Sequence, residues 1–238
     1  MIEINLMGDG YPVNLDDRTP DVGGSFYYRT PTRVYSPYIH AKAYEYLLTF
    51  PHAVLLDVGS STGCYGLLAK HHPDLRVYSF EPASLSAEIQ RENMKLNGLY
   101  DRVKIFETAI SDYNGKGIFH EIIPIGGLGV SMLDGTPHHD KQCKDIEIDV
   151  MTIDLFCNYN DVKPDMIKID VEGNELGVLK GAEITIRKHH PIIIAETESA
   201  NTHQYGLEPA ETVSWLKSAG YEVSFPFGDT DCIGIWKG

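Results

Sequence analysis

The chain has 238 residues, an apolar fraction of 42% and a charged fraction of 23%, which suits one α/β domain, since a single core grows to roughly 250 residues before splitting. Its net charge of −14 and pI near 5.0 would repel a phosphate backbone, so no nucleic-acid partner is expected. No window approaches the roughly 18 apolar residues of a membrane span, and Met1-Ile2-Glu3-Ile4-Asn5 lacks the basic and apolar regions of a signal peptide, so a cytoplasmic location is expected.

The opening stretch is rich in turn formers (Gly8, Gly10, Pro12, Pro20, Gly23, Gly24, Pro31) and carries Tyr11, Tyr27, Tyr28 and Tyr35. Disordered arms are usually poor in aromatics, so residues 1–50 read as an ordered flap and helix packed on the core. The helix is expected over 37–49, with Tyr38, Ala41, Tyr44 and Leu48 at helical spacing.

Strand and helix then alternate across residues 51–238. Residues 53–58 form an apolar run ending at Gly59, as in a buried parallel strand, and 64–71 read as its helix. A second strand is expected over 76–80, with a helix over 84–96 closed by Asn97-Gly98. A third strand at 103–106 is expected to run on towards Ile110, a fourth covers 166–169 and a fifth 191–195. The end reads as helix 209–219, strand 221–225, a turn at Gly228-Asp229 and strand 232–236. Such alternation implies a doubly wound, mostly parallel sheet with helices on both faces and an antiparallel hairpin at one edge.

An insertion at about 112–150 breaks the rhythm. Asn114-Gly115 is a hairpin signal before a strand at 117–122, and Gly126-Gly127-Leu128-Gly129 and His138-His139 follow. A long insertion between core units is expected to cover the substrate side of the sheet. Cys64, Cys143, Cys157 and Cys232 form no C-x-x-C pair and are expected to be free and mostly buried.

Three segments carry the chemistry. Asp57-Val58-Gly59-Ser60-Ser61-Thr62-Gly63 lies between a strand and a helix, where glycines let the backbone turn close to a ligand. Glu81 ends the next strand, about 20 residues on, where an acid can bind both hydroxyls of a ribose. Together they place a nucleoside across the ends of neighbouring strands. The G-x-G-x-x-G spacing that admits a pyrophosphate is missing. Asp57 suits the ammonium and sulfonium of S-adenosylmethionine instead. The third segment, Ile167-Lys168-Ile169-Asp170-Val171-Glu172-Gly173, puts Lys168, Asp170 and Glu172 on one side of a strand end if alternation holds. Glu196 should lie beside Asp170 if the fourth and fifth strands are neighbours.

The Asp-x-Gly turn, Phe80-Glu81-Pro82, Ala109-Ile110-Ser111-Asp112 followed by Gly115, Thr152-Ile153-Asp154, and above all 167–173 followed by Glu175, Leu179 and Gly181, resemble the FkbM family of methyltransferases. The Pro191…Glu196 strand fits it as well. The resemblance implies a class I (Rossmann-like) methyltransferase fold with a seven-stranded sheet, S-adenosylmethionine as donor, and O-methylation of sugars or sugar-bearing compounds. It brings Pro82, Ala109, Ile110 and Ser111 into the cofactor-binding set with Asp57, Gly59, Ser60, Ser61, Gly63 and Glu81. Family members often carry Asn or Gly where this chain has Ser61, whose hydroxyl can still donate to the donor's carboxylate.

A sugar hydroxyl needs a base to take its proton, or a metal to lower its pKa. Asp170, Glu172 and Glu196 are the candidates for either role, as base or as Mg²⁺ ligands, with Lys168 holding them. His120 and His203 are alternative bases, and His138-His139 with Cys143 lacks the second ligand pair of a zinc site. The rival readings are a catalytically silent domain of the same fold and an NAD-linked oxidoreductase.

Overall fold

The computed structural model describes residues 1–7, 10–18, 37–123, 132–133, 142–197, 205–226, 228 and 230–238. Strands β1 (Ile2–Asn5) and β2 (Pro12–Leu15) form an antiparallel hairpin, and helix α1 follows at Pro37–Leu47. The central units are β3 (Val54–Val58), a 3₁₀ helix (Gly66–Lys70), β4 (Arg76–Phe80), α2 (Ser84–Leu96) and β5 (Val103–Phe106). Short strands β6 (Ala109–Ile110), β7 (Gly115–Ile123), β8 (Met132–Leu133) and β9 (Gln142–Met151) come next. The chain closes with α3 (Ile153–Asn160), β10 (Met166–Ile169), α4 (Glu175–Lys180), α5 (Glu183–His189), β11 (Ile192–Glu196), α6 (Pro209–Ser218), β12 (Tyr221–Ser224) and β13 (Asp231–Trp236).

The main sheet has seven strands in the order β12-β13-β11-β10-β3-β4-β5. β3, β4, β5, β10 and β11 are parallel, while β13 runs antiparallel between β11 and β12. Alternate residues of each strand feed two cores. Leu55, Val77, Val103, Met166 and Ile194 face the hairpin, α1, the 3₁₀ helix and part of α2. Leu56, Val58, Phe80, Ile167, Ile169 and Ile193 face α3 to α6. Losing one of these buried side chains to alanine costs about 2–5 kcal/mol, because the cavity collapses only partly.

The order of strands reverses at β3, which pairs with β4 on one side and β10 on the other. Open parallel sheets bind ligands at such a switch point, beyond the carboxyl ends of the strands. Register decides which residues meet there. Val58 lies opposite both Phe80 and Ile169, and Ile169 lies opposite Ala195. The next residue of each strand therefore falls in one row: Glu81, Gly59, Asp170, Glu196.

Several local expectations change. Residues 66–70 wind as a 3₁₀ helix rather than an α-helix, with Arg102 Nη1 donating to the carbonyls of Ala69, His72 and Pro73 at its end. The short span before β4 suits this tighter helix. On α1, Tyr38 and Leu48 are largely exposed, and Ile39, Ala43 and Leu47 form the buried stripe. Tyr44 of the expected set is buried as well, and these residues share one core with Val13 and Leu15 of the hairpin and Leu67 of the 3₁₀ helix. The third strand stops at Phe106, and Ala109–Ile110 joins a different sheet.

That second sheet has the order β6-β9-β7-β8. Asn114-Gly115 is consequently not the turn of a hairpin between β6 and β7, because β9 pairs between them. The Asn114 side chain instead accepts the Thr152 N–H at 2.9 Å, tying the start of β7 to the end of β9. Ala83, just beyond Glu81, shares a small core with Ala109, Phe119, Leu133 and Val150. The insertion's sheet thus packs at the carboxyl end of β4. Gly126–Gly129, His138, His139, His203, Tyr27, Tyr28 and Tyr35 lie outside the described residues, as does part of the Gly228-Asp229 turn. Cys64, Cys157 and Cys232 are buried and form no disulfide among the described residues, while the Cys143 side chain is outside the described set.

Candidate active site

The glycine turn hangs from the end of β4. Gly59 and Ser60 both donate their N–H groups to the Phe80 carbonyl, at 3.0 and 3.1 Å, and Gly63 N–H closes the turn on the Ser60 carbonyl at 2.8 Å. Ser61 sits at φ +47° and Gly63 at +93°. Glycine is needed at 63 for a second reason, since a Cβ there would press on the Gln90 side chain at 2.6 Å.

Glu81 is buried and knitted into that turn. Its carboxylate accepts from Ser61 N–H at 2.7 Å and Ala83 N–H at 2.9 Å. Burial pushes its pKa up to about 7, against the pull of those N–H donors. Each oxygen keeps a second lone pair, so hydroxyl donors can still be accepted. Pro82 beside it is half-buried.

Asp57 lies beneath the turn with no exposed surface, and neither carboxylate oxygen has a hydrogen-bond partner among the described residues. Burial drives its pKa up to about 6, opposed by the Lys168 ammonium 3.6 Å away. What Asp57 offers a ligand above the turn is therefore negative field. Lys168 donates to the Gly59 carbonyl at 2.8 Å and stands 3.4 Å from Asp170 Oδ2. Its Nζ also lies 5.4 Å from the centre of the Tyr65 ring, a cation–π arrangement. Burial opposes the charge on Lys168, but the adjacent Asp170 and Asp57 carboxylates outweigh it and hold the ammonium above its ordinary pKa.

On the other side of the switch point, ligand oxygens of Asp170, Glu172 and Glu196 all lie within 4.8 Å of one another, and all three residues are half-buried. The route to this cluster differs from simple alternation. β10 ends at Ile169, and Glu172 sits at φ +60° in the turn that follows, with Gly173 at +113°. The turn, rather than the pleat, brings Glu172 back towards Asp170. An oxygen-only donor set of this size suits a hard cation such as Mg²⁺, and a carboxylate of the set is equally the kind of group that accepts a proton from a hydroxyl.

Ala109, Ile110 and Ser111 run from the insertion sheet towards α4. Ser111 N–H donates to the Met151 carbonyl, and Ser111 Oγ accepts from Asn174 Nδ2 at 3.1 Å. His120 is on β7, with Nδ1 2.7 Å from Asp145 Oδ1. Tyr11 packs edge-on against Tyr44 and His71, an aromatic cluster inside the fold rather than a stacking platform.

Buried polar residues add parts that sequence reasoning missed. Gln90 Oε1 accepts from Ser60 Oγ at 3.0 Å, and Asn93 Nδ2 donates to the Thr62 carbonyl at 2.9 Å. Asn93 Oδ1 in turn accepts the Asp16 N–H, so α2 links the N-terminal hairpin to the glycine turn. Both amides are fully buried, which the sequence does not disclose, because polar residues three apart on a helix read equally as its solvated face.

The residues fit a methyl donor. An acid with spare lone pairs at the β4 end suits ribose hydroxyls, a glycine turn without the spacing for a pyrophosphate lies over a buried carboxylate, and three acids cluster at the ends of the neighbouring strands. Comparison with known proteins agrees. The methyltransferase FkbM domain model matches residues 57–223. The 2-O-methyltransferase NoeI of Sinorhizobium fredii is 28% identical over 194 residues, covering 76% of this chain and 78% of its own. Methyltransferase sdnD of Sordaria araneosa is 22% identical over 196 residues, covering 71% and 74%. Among solved structures, the methyltransferase FkbM of Methylobacillus flagellatus superposes with a TM-score of 0.52 at 18% identity. That match covers 78% of this chain and only 44% of the longer one. A putative caffeoyl-CoA O-methyltransferase from Staphylococcus aureus gives a TM-score of 0.54 at 15% identity, covering 84% and 83%.

Proposed function

The chain belongs to the methyltransferase FkbM family and is an S-adenosylmethionine-dependent methyltransferase; from that premise we propose that its acceptor is a hydroxyl of a sugar, a glycan or a glycosylated small molecule. The observation that carries this is the acid cluster of Asp170, Glu172 and Glu196 beside the glycine turn. A hydroxyl must lose its proton as it is alkylated, and a carboxylate group within reach is what the step requires. The name of the relative NoeI, a 2-O-methyltransferase, supports oxygen as the nucleophile.

When bound, S-adenosylmethionine supplies an electrophilic methyl group on a sulfonium centre. We assign Glu81 to the ribose hydroxyls, and the turn of Gly59, Ser60, Ser61 and Gly63 to the amino-acid end. Pro82 and the segment Ala109-Ile110-Ser111 flank the donor, and Asp57 contributes charge from below. The acid cluster would take the acceptor's proton as the oxygen–carbon bond forms and the methyl–sulfur bond breaks, with S-adenosylhomocysteine leaving as a neutral thioether. Lys168, 3.4 Å from Asp170 Oδ2 and hydrogen-bonded to the Gly59 carbonyl, ties the acceptor side to the donor side. Holding reactants in line in this way is worth on the order of 7–11 kcal/mol of the barrier.

A second role for the cluster is favoured by its spacing, because oxygens within 4.8 Å of one another can share a divalent cation. Asp170, Glu172 and Glu196 would then hold Mg²⁺, which would lower the pKa of the acceptor hydroxyl. Turnover that survives excess EDTA assigns the cluster as base; turnover lost to EDTA and restored by Mg²⁺ assigns it as metal ligand. For the acceptor, a panel of methyl hexopyranosides and their 2-deoxy analogues is incubated with S-adenosylmethionine and the methylated products are sought by mass spectrometry. Methyl transfer to a glycoside supports the proposal. Transfer confined to phenols or amines in parallel reactions overturns it.

A further inference from the structure

The acid cluster depends on a turn that its own strand does not form. Beyond β10, the backbone runs from Asp170 to Asn174 through two residues of positive φ, Glu172 at +60° and Gly173 at +113°. For a side-chain-bearing residue such as Glu172 the left-handed region is strained, so something must hold it. The next carboxylate does so. Glu175, the first residue of α4, is only 1% exposed. Its Oε1 accepts from Val171 N–H at 3.1 Å and from Gly173 N–H at 3.0 Å. These are the amides on either side of Glu172.

We infer that Glu175 is a positioning residue for methyl transfer: its buried carboxylate clamps the amides flanking Glu172 and so sets the Glu172 and Asp170 carboxylates against Glu196. The inference rests on the proposed acceptor-side role of that cluster. The geometry excludes a direct part in the chemistry, because Glu175 is buried beneath the turn and is already committed to two backbone donors. Its neighbours support the same function. Asn174 donates to Ser111 Oγ, and a Cβ at Gly177 would strike the Asn174 amide, so the start of α4 has no slack. Two N–H groups sharing one buried carboxyl oxygen hold the turn from both sides of Glu172.

Glu175→Gln keeps an acceptor oxygen for both amides, whereas Glu175→Ala removes it. Amide hydrogen exchange at Val171 and Gly173, S-adenosylhomocysteine affinity, and kcat and KM on the glycoside found by the panel above are measured for both. In the Ala variant, exchange at 171 and 173 should quicken by about tenfold or more as the turn opens locally. Its kcat should fall about 10- to 100-fold, the usual cost of a small misplacement, with homocysteine affinity unchanged. The Gln variant should restore both. Unchanged exchange and kcat in the Ala variant would overturn the inference. So would loss of homocysteine binding, or a Gln variant as slow as Ala with its amides still protected, which would mean the charge itself is used. If the Ala variant fails to fold, Glu175→Met, which fills the space without an acceptor, takes its place. Full turnover in Asp170→Ala and Glu172→Gln, with the exchange effect intact, would sink the acceptor-side reading and leave the clamp standing.

Discussion

The carbonyl oxygen of Asp170 occupies the space that a Cβ on Gly59 would need. These residues end adjacent parallel strands, and Asp170 N–H donates to the carbonyl of Val58 at 3.1 Å. The donor turn and the acid turn are thus packed backbone against backbone, and a change in one is transmitted to the other. Gly59 also has φ +71°, so two requirements meet at one position.

Gly59→Ala therefore combines a left-handed backbone with a clash against main chain that cannot rotate away. It should cost about 2–5 kcal/mol in urea unfolding, summing the positive-φ penalty and overpacking. Affinity for S-adenosylhomocysteine should fall in the same variant, read by calorimetry.

Lys168→Met leaves the Asp57 carboxylate buried without its cation. Breaking a buried pair this way costs about 3–5 kcal/mol. Asp57 already has its pKa raised from 3.8 to about 6 by burial, and loss of Lys168 raises it further. A carboxyl whose folded pKa is raised destabilises the fold as pH climbs through that value, so the deficit should be larger at pH 8 than at pH 5. Adding Asp57→Asn should recover most of the loss. Equal deficits at both pH values would show that the ion pair is not the cause.

Glu81 gives a pH-dependent donor affinity. Its pKa is raised to about 7 by burial, so it ionises across neutrality. Ribose hydroxyls donate best to the ionised form, and S-adenosylhomocysteine affinity should rise by up to about tenfold from pH 6 to pH 8. The unliganded fold responds with the opposite sign. Because the folded pKa lies above the ordinary 4.5, the stabilising contribution is complete below about 4.5 and is lost as pH rises through about 7. Glu81→Gln should flatten both profiles, and a binding profile that stays sloped would assign the effect elsewhere.

Much of this was legible because parallel-strand register is simple. Once 53–58, 76–80, 166–169 and 191–195 are read as strands, their ends carry Gly59, Glu81, Asp170 and Glu196, and adjacency does the rest. Two features resisted. The approach of Glu172 depends on a left-handed turn held by Glu175, and no alternation pattern encodes that. The insertion misled because Asn-Gly marks a tight turn without saying which strand will lie beside it. Here β9 returns from about 30 residues away to separate β6 from β7, a non-local pairing that local propensity does not specify.

Asp154 provides a control away from the site. Its carboxylate accepts Ile184 N–H at 3.0 Å and Thr185 N–H at 2.7 Å, tying α3 to the start of α5. Asp154→Ala should lower stability by about 1–2 kcal/mol, as for loss of a helix cap, and leave homocysteine affinity unchanged. Thermal unfolding and calorimetry on one sample check both.

The most direct test of the account is the initial rate of glycoside methylation by Asp170→Ala relative to wild type, at saturating S-adenosylmethionine. If donor turn and acid cluster are two halves of one O-methyltransferase site, the rate should fall about 10²- to 10⁴-fold, the range for losing a positioned proton acceptor, with homocysteine binding preserved. A rate equal to wild type would contradict it and leave the cluster without a part in the reaction.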